Sequence, residues 1–70
     1  MTVDPKLLGI RQLPTETAWD AVVGHYGLDD AAAERFALYV EFVGHSVDEE
    51  LTTICALYHD WRARANEEEA

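Results

Sequence analysis

The segment over residues 30–43 constrains the fold most, because it is apolar around nearly its whole circumference when wound as a helix. Its main face is formed by apolar side chains at helical spacing, Ala32, Ala33, Phe36, Val40 and Val43. Tyr39 and Phe42 widen this face, and Leu38 lies on the far side. A helix of this kind must be covered from more than one direction. We therefore expect it to be the central element of the fold.

Two amphipathic segments flank this helix and are its natural covers. The first predicts a helix over residues 15–26, with Thr15 as N-cap and Gly27 as the residue that ends it. Its apolar side chains fall on one face, and they are Trp19, Val22, Val23 and Tyr26. The central helix should then begin with Asp29 or Asp30 as its cap and end at Gly44.

A third helix is indicated by Ser46 and Glu49, which have the spacing of a capping box. We expect this helix to run from Ser46 to about residue 66. Its inward stripe is apolar and consists of Leu51, Ile54, Cys55, Tyr58, Trp61 and Ala65.

The fold predicted from these segments is all-α: a compact antiparallel three-helix bundle with the second helix at its centre. We assign residues 1–14 to a short N-terminal arm, residues 15–66 to the three-helix domain and residues 67–70 to an acidic tail. Asp4 and Pro5 predict one helical turn in the arm, limited by Gly9. The arm's apolar residues, Leu7, Leu8, Ile10 and Leu13, should pack on the bundle or on a partner.

Seventy residues allow one domain, and a domain of this size buries only about 60% of the surface that its unfolded chain exposes. A second copy of the chain would cover some of the remaining apolar surface, so a homodimer is a further expectation. Cys55 is the single cysteine, which excludes an internal disulfide, and the first ten residues lack a signal-peptide pattern. A cytoplasmic location is therefore expected.

The formal net charge is −9, from fourteen acidic and five basic side chains. This charge disfavours direct binding to nucleic acid and to anionic membranes, because both require a cationic surface. No stretch approaches the ~20 apolar residues of a membrane span. The charge suits a basic protein partner, although an acidic surface that only keeps the protein soluble explains it more simply.

The sequence offers little for catalysis or metal binding. Cys55 and His59 lie one helical turn apart and could share a metal ion, but no second ligand pair accompanies them. Cys55 also lies within the apolar stripe, where a lone cysteine usually packs as a small hydrophobic residue. A glycine-rich phosphate loop and a nucleophile elbow are both absent from the sequence. We therefore predict no enzyme activity, no cofactor and no metal site.

The leading functional prediction is a small, non-enzymatic protein that binds a larger protein through the partner's basic surface. Its most concrete form is an inhibitor that blocks a nucleic-acid-binding surface, as small acidic phage-type inhibitors of host defence do. Carboxylates spaced along a narrow body can occupy such a surface, because the same Lys and Arg side chains bind phosphate and carboxylate. The predicted partner-binding residues are acidic or apolar, and they are Glu34, Leu38, Glu41, Asp48, Glu49, Glu50, Leu57, Asp60 and Trp61.

Two alternatives remain open at this point. The protein could be an accessory or regulatory subunit of an enzyme complex, docking through the helix face that carries Leu57 and Trp61. In that case the acidic surface would only keep it soluble. The third interpretation is a metal-dependent sensor that uses Cys55 and His59.

Overall fold

The structure, a computed structural model, describes residues 4–69 and the side chains of residues 4–65. A 3-10 helix at Pro5–Leu8 is followed by three α-helices, α1 at Ala18–Tyr26, α2 at Asp30–Phe42 and α3 at Leu51–Glu69. No strand occurs in residues 4–69, so the predicted all-α class is confirmed. The radius of gyration is 11.6 Å, close to the ~11 Å that a compact domain of this length has. None of these helices is both long and apolar enough to cross a membrane.

The ends of α1 follow from one threonine and one glycine. Thr17 is the N-cap, and its hydroxyl accepts a hydrogen bond from the backbone N–H of Asp20 at 3.1 Å. The predicted cap, Thr15, lies two residues before the observed cap, so that prediction is wrong. At the other end Gly27 has a φ of 64°, a conformation that glycine adopts without strain, and this prediction is confirmed.

Helix α2 begins where the sequence predicts. The carboxylate of Asp29 accepts a hydrogen bond from the backbone N–H of Ala32 at 2.8 Å, which makes Asp29 the N-cap. The helix ends at Phe42, and Gly44 follows with a φ of 85°. The predicted glycine stop is therefore present just beyond the last helical residue.

The predicted capping box at the start of α3 is wrong. The Ser46 hydroxyl accepts from the backbone N–H of Asp48 at 3.1 Å, inside a turn, and not from that of Glu49. The Glu49 carboxylate instead accepts from the His45 ring Nδ1 at 2.9 Å. Because both capping groups are engaged within the turn, the helix starts later, at Leu51. It also continues past residue 66 to Glu69.

The core is formed by side chains from all three helices. The largest fully buried side chains are Val22 of α1, Phe36 and Val40 of α2, and Ile54 and Cys55 of α3. Helix α3 packs against α1, against α2 and against the 3-10 helix. The prediction that the second helix is central is therefore wrong, and α3 has that position.

The reason is that α2 is covered on one side only. It buries Phe36 and Val40, while Leu38 remains 62% exposed and Phe42 remains 83% exposed. The wide apolar face expected from the sequence is thus only partly used inside the monomer.

Helices α1 and α3 run in the same direction. Their first residues, Ala18 and Leu51, line the same groove. Toward the other end of α1, the Tyr26 ring stacks on that of Tyr58, with 3.9 Å between ring centroids.

Helix α2 meets the C-terminal half of α3, and the predicted antiparallel packing of these two helices is not confirmed. Phe36 stacks on Trp61 with 5.3 Å between ring centroids, and Tyr39 lies beneath the guanidinium of Arg64 at 5.8 Å.

The N-terminal arm packs on its own domain through Ile10. This side chain is buried in a small cluster with Ala21 and Cys55. The predicted turn before it is confirmed, since the Asp4 carboxylate accepts from the backbone N–H of Lys6 at 3.0 Å and Gly9 ends the turn with a φ of 74°.

Candidate functional site

A groove with an acidic lining lies where α1 and α3 begin. Its volume is about 440 Å³. We call it the acidic groove, and it is lined by Gln12, Glu16, Thr17, Ala18, Val47, Asp48, Glu49, Glu50 and Leu51. The N-terminal arm, the start of α1 and the connection before α3 each supply part of the wall.

The electrostatics of the acidic groove are dominated by Glu16, Asp48, Glu49 and Glu50. No Lys or Arg is among its lining residues. Glu49 is paired with His45 at 2.9 Å, and both side chains are about two-fifths exposed, so this pair contributes little to stability. Asp48 and Glu50 are exposed and Glu16 is half-buried, in a concave setting that suits Lys and Arg side chains of another protein.

A second surface lies on the outer side of α2. We call it the α2 strip, and it consists of Glu34, Leu38, Glu41 and Phe42, all of them exposed. Leu38 and Phe42 are one helical turn apart, so their side chains are neighbours. Two large apolar side chains side by side in solvent are typical of an interaction surface.

Next to this strip is a groove of about 260 Å³ between α2 and α3. We call it the aromatic groove, and its lining is Tyr39, Phe42, Trp61, Arg64 and Ala65. Arg64 covers the Tyr39 ring, an arrangement that gives a modest cation–π attraction at an exposed position. Phe42 belongs to both surfaces and joins them into one continuous patch.

The structure separates the predicted partner-binding residues into groups. It brings Asp48, Glu49 and Glu50 together in the acidic groove. It places Glu34, Leu38 and Glu41 together on the α2 strip. Asp60 is exposed on α3, and Trp61 is half-buried at the aromatic groove.

Leu57 is the exception. Its side chain is only 7% exposed and belongs to the main core cluster with Ile54 and Tyr58. The apolar face of α3 is therefore wider than the predicted stripe, because this helix is covered by both α1 and α2. The expectation that Leu57 offers surface to a partner is wrong.

Phe42 and Glu16 are two of the residues of these surfaces that were missed from the sequence. Phe42 was assigned to the apolar face of its helix, yet it is the last residue of α2 and is 83% exposed. Glu16 was not among the predicted partner-binding residues, although it lines the acidic groove. Its position between two threonines gives no signal that α3 begins nearby.

The Cys55 and His59 pair does not form a metal site in this arrangement. Cys55 is fully buried, whereas His59 is exposed and lies 3.3 Å from the Tyr26 hydroxyl through its Nε2. Burial raises the pKa of the Cys55 thiol, so the thiol stays protonated and is a poor nucleophile. No group of three potential ligands from His, Cys, Asp and Glu gathers within the described residues.

Tyr26 lies over the same cluster. Burial, followed by its neighbour Cys55, raises the pKa of Tyr26 to about 12. The Tyr26 hydroxyl is therefore neutral. Its contacts with the Cys55 thiol and the His59 imidazole are best explained as part of the packing between α1 and α3.

Comparisons of the chain with protein-family models, with curated proteins and with solved structures found no match. The function is therefore inferred from the acidic groove, the α2 strip and the aromatic groove.

Proposed function

We propose that this protein is a non-enzymatic binding protein that docks on a basic surface of a larger protein, and that the acidic groove is its contact site. The observation that carries the proposal is the convergence of Glu16, Asp48, Glu49 and Glu50 on one groove, in a chain of net charge −9. Lys or Arg side chains entering this groove would form charge-assisted hydrogen bonds to several carboxylates at once.

In its sharpest form the protein is an inhibitor that covers a nucleic-acid-binding surface. The domain measures 37 by 23 by 23 Å, and four of its carboxylates line the acidic groove. Basic side chains that bind phosphate groups also bind carboxylates, so such a body would compete directly with the nucleic acid. The three helices would act as one compact bundle, in the cytoplasm, where the buried Cys55 stays reduced.

The proposal is tested with two variants of equal charge. In the first, Glu16→Gln, Asp48→Asn and Glu50→Gln neutralise the acidic groove and spare Glu49, which is engaged by His45. The matched control neutralises three exposed acids outside the acidic groove and the α2 strip, with Asp20→Asn, Asp30→Asn and Asp60→Asn.

Both variants and the wild-type protein are used to capture partners from lysate of the source cell, and the partner is then mixed with nucleic acid. We expect a basic nucleic-acid-binding partner that is retained by wild type and control, is released by rising salt, and loses its nucleic acid when wild type is added. Retention by the groove variant at the wild-type level, or equal loss with both variants, contradicts the proposal.

The exposed Phe42 favours a second function, an accessory subunit that docks on an enzyme complex through apolar contacts. With Leu57 buried, such docking would use Phe42, Trp61 and the aromatic groove. A complex that persists in high salt and is lost on Phe42→Glu, but not in the groove variant, identifies this function.

A further inference from the structure

The α2 strip has charges of opposite sign on its two flanks. Successive residues of an α-helix are about 100° apart around the axis. Around the exposed side of α2 this spacing gives Glu41 and Glu34 on one flank, then Leu38 and Phe42, then Arg35 on the other flank. All five of these side chains are exposed.

The basic flank is extended by a residue from α3. The guanidinium of Arg64 lies over Tyr39, which follows Arg35 around the helix, and Arg64 lines the aromatic groove beside Phe42. The apolar pair Leu38 and Phe42 thus has an acidic margin on one side and a basic margin on the other.

We propose that a second copy of this chain covers Leu38 and Phe42, in a two-fold dimer whose axis runs parallel to α2. Rotation about such an axis keeps each residue at its height along the helix and exchanges the two flanks. The acidic margin of one protomer therefore faces the basic margin of its partner, as an isologous interface requires.

The heights of the charged residues agree with this arrangement. Glu34 and Arg35 are adjacent in sequence, so their heights along α2 differ by about 1.5 Å. Glu41 is two residues beyond Tyr39, the residue under Arg64, which is a difference of about 3 Å. Each offset is well within the reach of a Glu and an Arg side chain, so two kinds of ion pair form, each of them twice.

A second copy fits this patch better than another protein with a basic surface. A basic partner would be attracted by Glu34 and Glu41 but repelled by Arg35 and Arg64 on the opposite margin. A two-fold axis perpendicular to α2 would instead place like charges opposite each other. The parallel axis is the two-fold arrangement that buries Leu38 and Phe42 and pairs both margins.

The experiment exploits charge reversal across the interface. Sedimentation equilibrium of the full chain over a wide concentration range should show a monomer–dimer equilibrium for wild type. Glu41→Arg and Arg64→Glu should each weaken dimerisation by about tenfold or more, because each places like charges opposite one another twice. The double variant E41R/R64E should recover to within a few-fold of wild type, since the opposite charges again face each other.

Circular dichroism of each variant confirms that it is folded, and Leu38→Ala with Phe42→Ala should abolish the dimer in a folded monomer. The acidic-groove variant E16Q/D48N/E50Q should dimerise as wild type does, which separates this inference from the proposed function. A wild-type chain that is monomeric at every concentration overturns the inference, and so does a double variant as weak as the single ones. In either case the α2 strip is covered by a different protein and not by a second copy of this chain.

Discussion

The ring of Phe36 stacks on the indole of Trp61, with 5.3 Å between ring centroids and 26° between the ring planes. The same ring also stacks on Trp19, with 4.8 Å between centroids. Trp19 belongs to α1 and Trp61 to α3, so one fully buried side chain of α2 holds all three helices in contact.

Replacement of Phe36 by alanine should lower the free energy of unfolding by about 3–5 kcal/mol, because it removes a buried ring and leaves a cavity. Leu38→Ala on the exposed side of the same helix should change it by less than about 0.5 kcal/mol. Both are measured by urea unfolding at a protein concentration where the chain is monomeric. Equal losses for the two variants would mean that α2 is covered on both sides.

The position of Phe36 was predictable and that of Phe42 was not. Both residues belong to the apolar face read from the sequence of α2, and helical spacing correctly indicates which way Phe36 points. Periodicity does not say how far along the helix its neighbours extend. The sequence pattern assigned Phe42 to the covered face of α2, whereas in the structure it is 83% exposed and lines the aromatic groove with Ala65.

The start of α1 gives a prediction that separates the sequence expectation from the structure. Thr17→Ala removes the acceptor for the Asp20 backbone N–H and should cost about 1 kcal/mol of stability. Thr15→Ala should be close to neutral, because Thr15 is exposed and lies before the helix. Thermal unfolding monitored by circular dichroism compares the stability of the two variants. A larger loss of stability in Thr15→Ala would identify Thr15 as the cap.

Docking of the N-terminal arm rests on Ile10. Ile10→Ala should destabilise the protein by about 2–3 kcal/mol, since the side chain is 5% exposed and packs on Ala21 and Cys55. Leu13→Ala is the matched control, because Leu13 is in the same arm and is 58% exposed. If Ile10→Ala were neutral in denaturant unfolding, the arm would contribute nothing to the stability of the domain.

Alkaline pH should weaken the fold through Tyr26. Its pKa is raised from 10.0 to about 12 by burial and by Cys55, so the folded chain holds this proton at a pH where the unfolded chain releases it. The associated stability is complete below about pH 10 and is lost as the pH rises toward 12. The raised pKa of Cys55 acts in the same direction.

Urea unfolding at a series of alkaline pH values measures this loss, and the near-ultraviolet absorbance of the phenolate follows the titration itself. Tyr26→Phe removes the titrating group and should flatten the decline. A decline as steep in Tyr26→Phe as in wild type would assign it to other groups.

The residues of the acidic groove could be predicted from the sequence only in part. Asp48, Glu49 and Glu50 are adjacent in sequence, so their clustering was foreseeable. The contribution of Glu16 was not, because it depends on α1 and α3 starting side by side. The prediction that Leu57 contacts a partner was wrong for a related reason, because its burial depends on both α1 and α2 covering α3.

Cys55 is the single thiol of the chain, and the structure encloses it completely beneath Ile10. A thiol reagent can reach it only while the surrounding segments are transiently open, so the labelling rate reports the frequency of such openings. Faster labelling in Ile10→Ala, beyond what its lower global stability explains, would show that the arm lifts off while the helices stay together. Modification of the Cys55 thiol thus measures how often the interior of the protein opens.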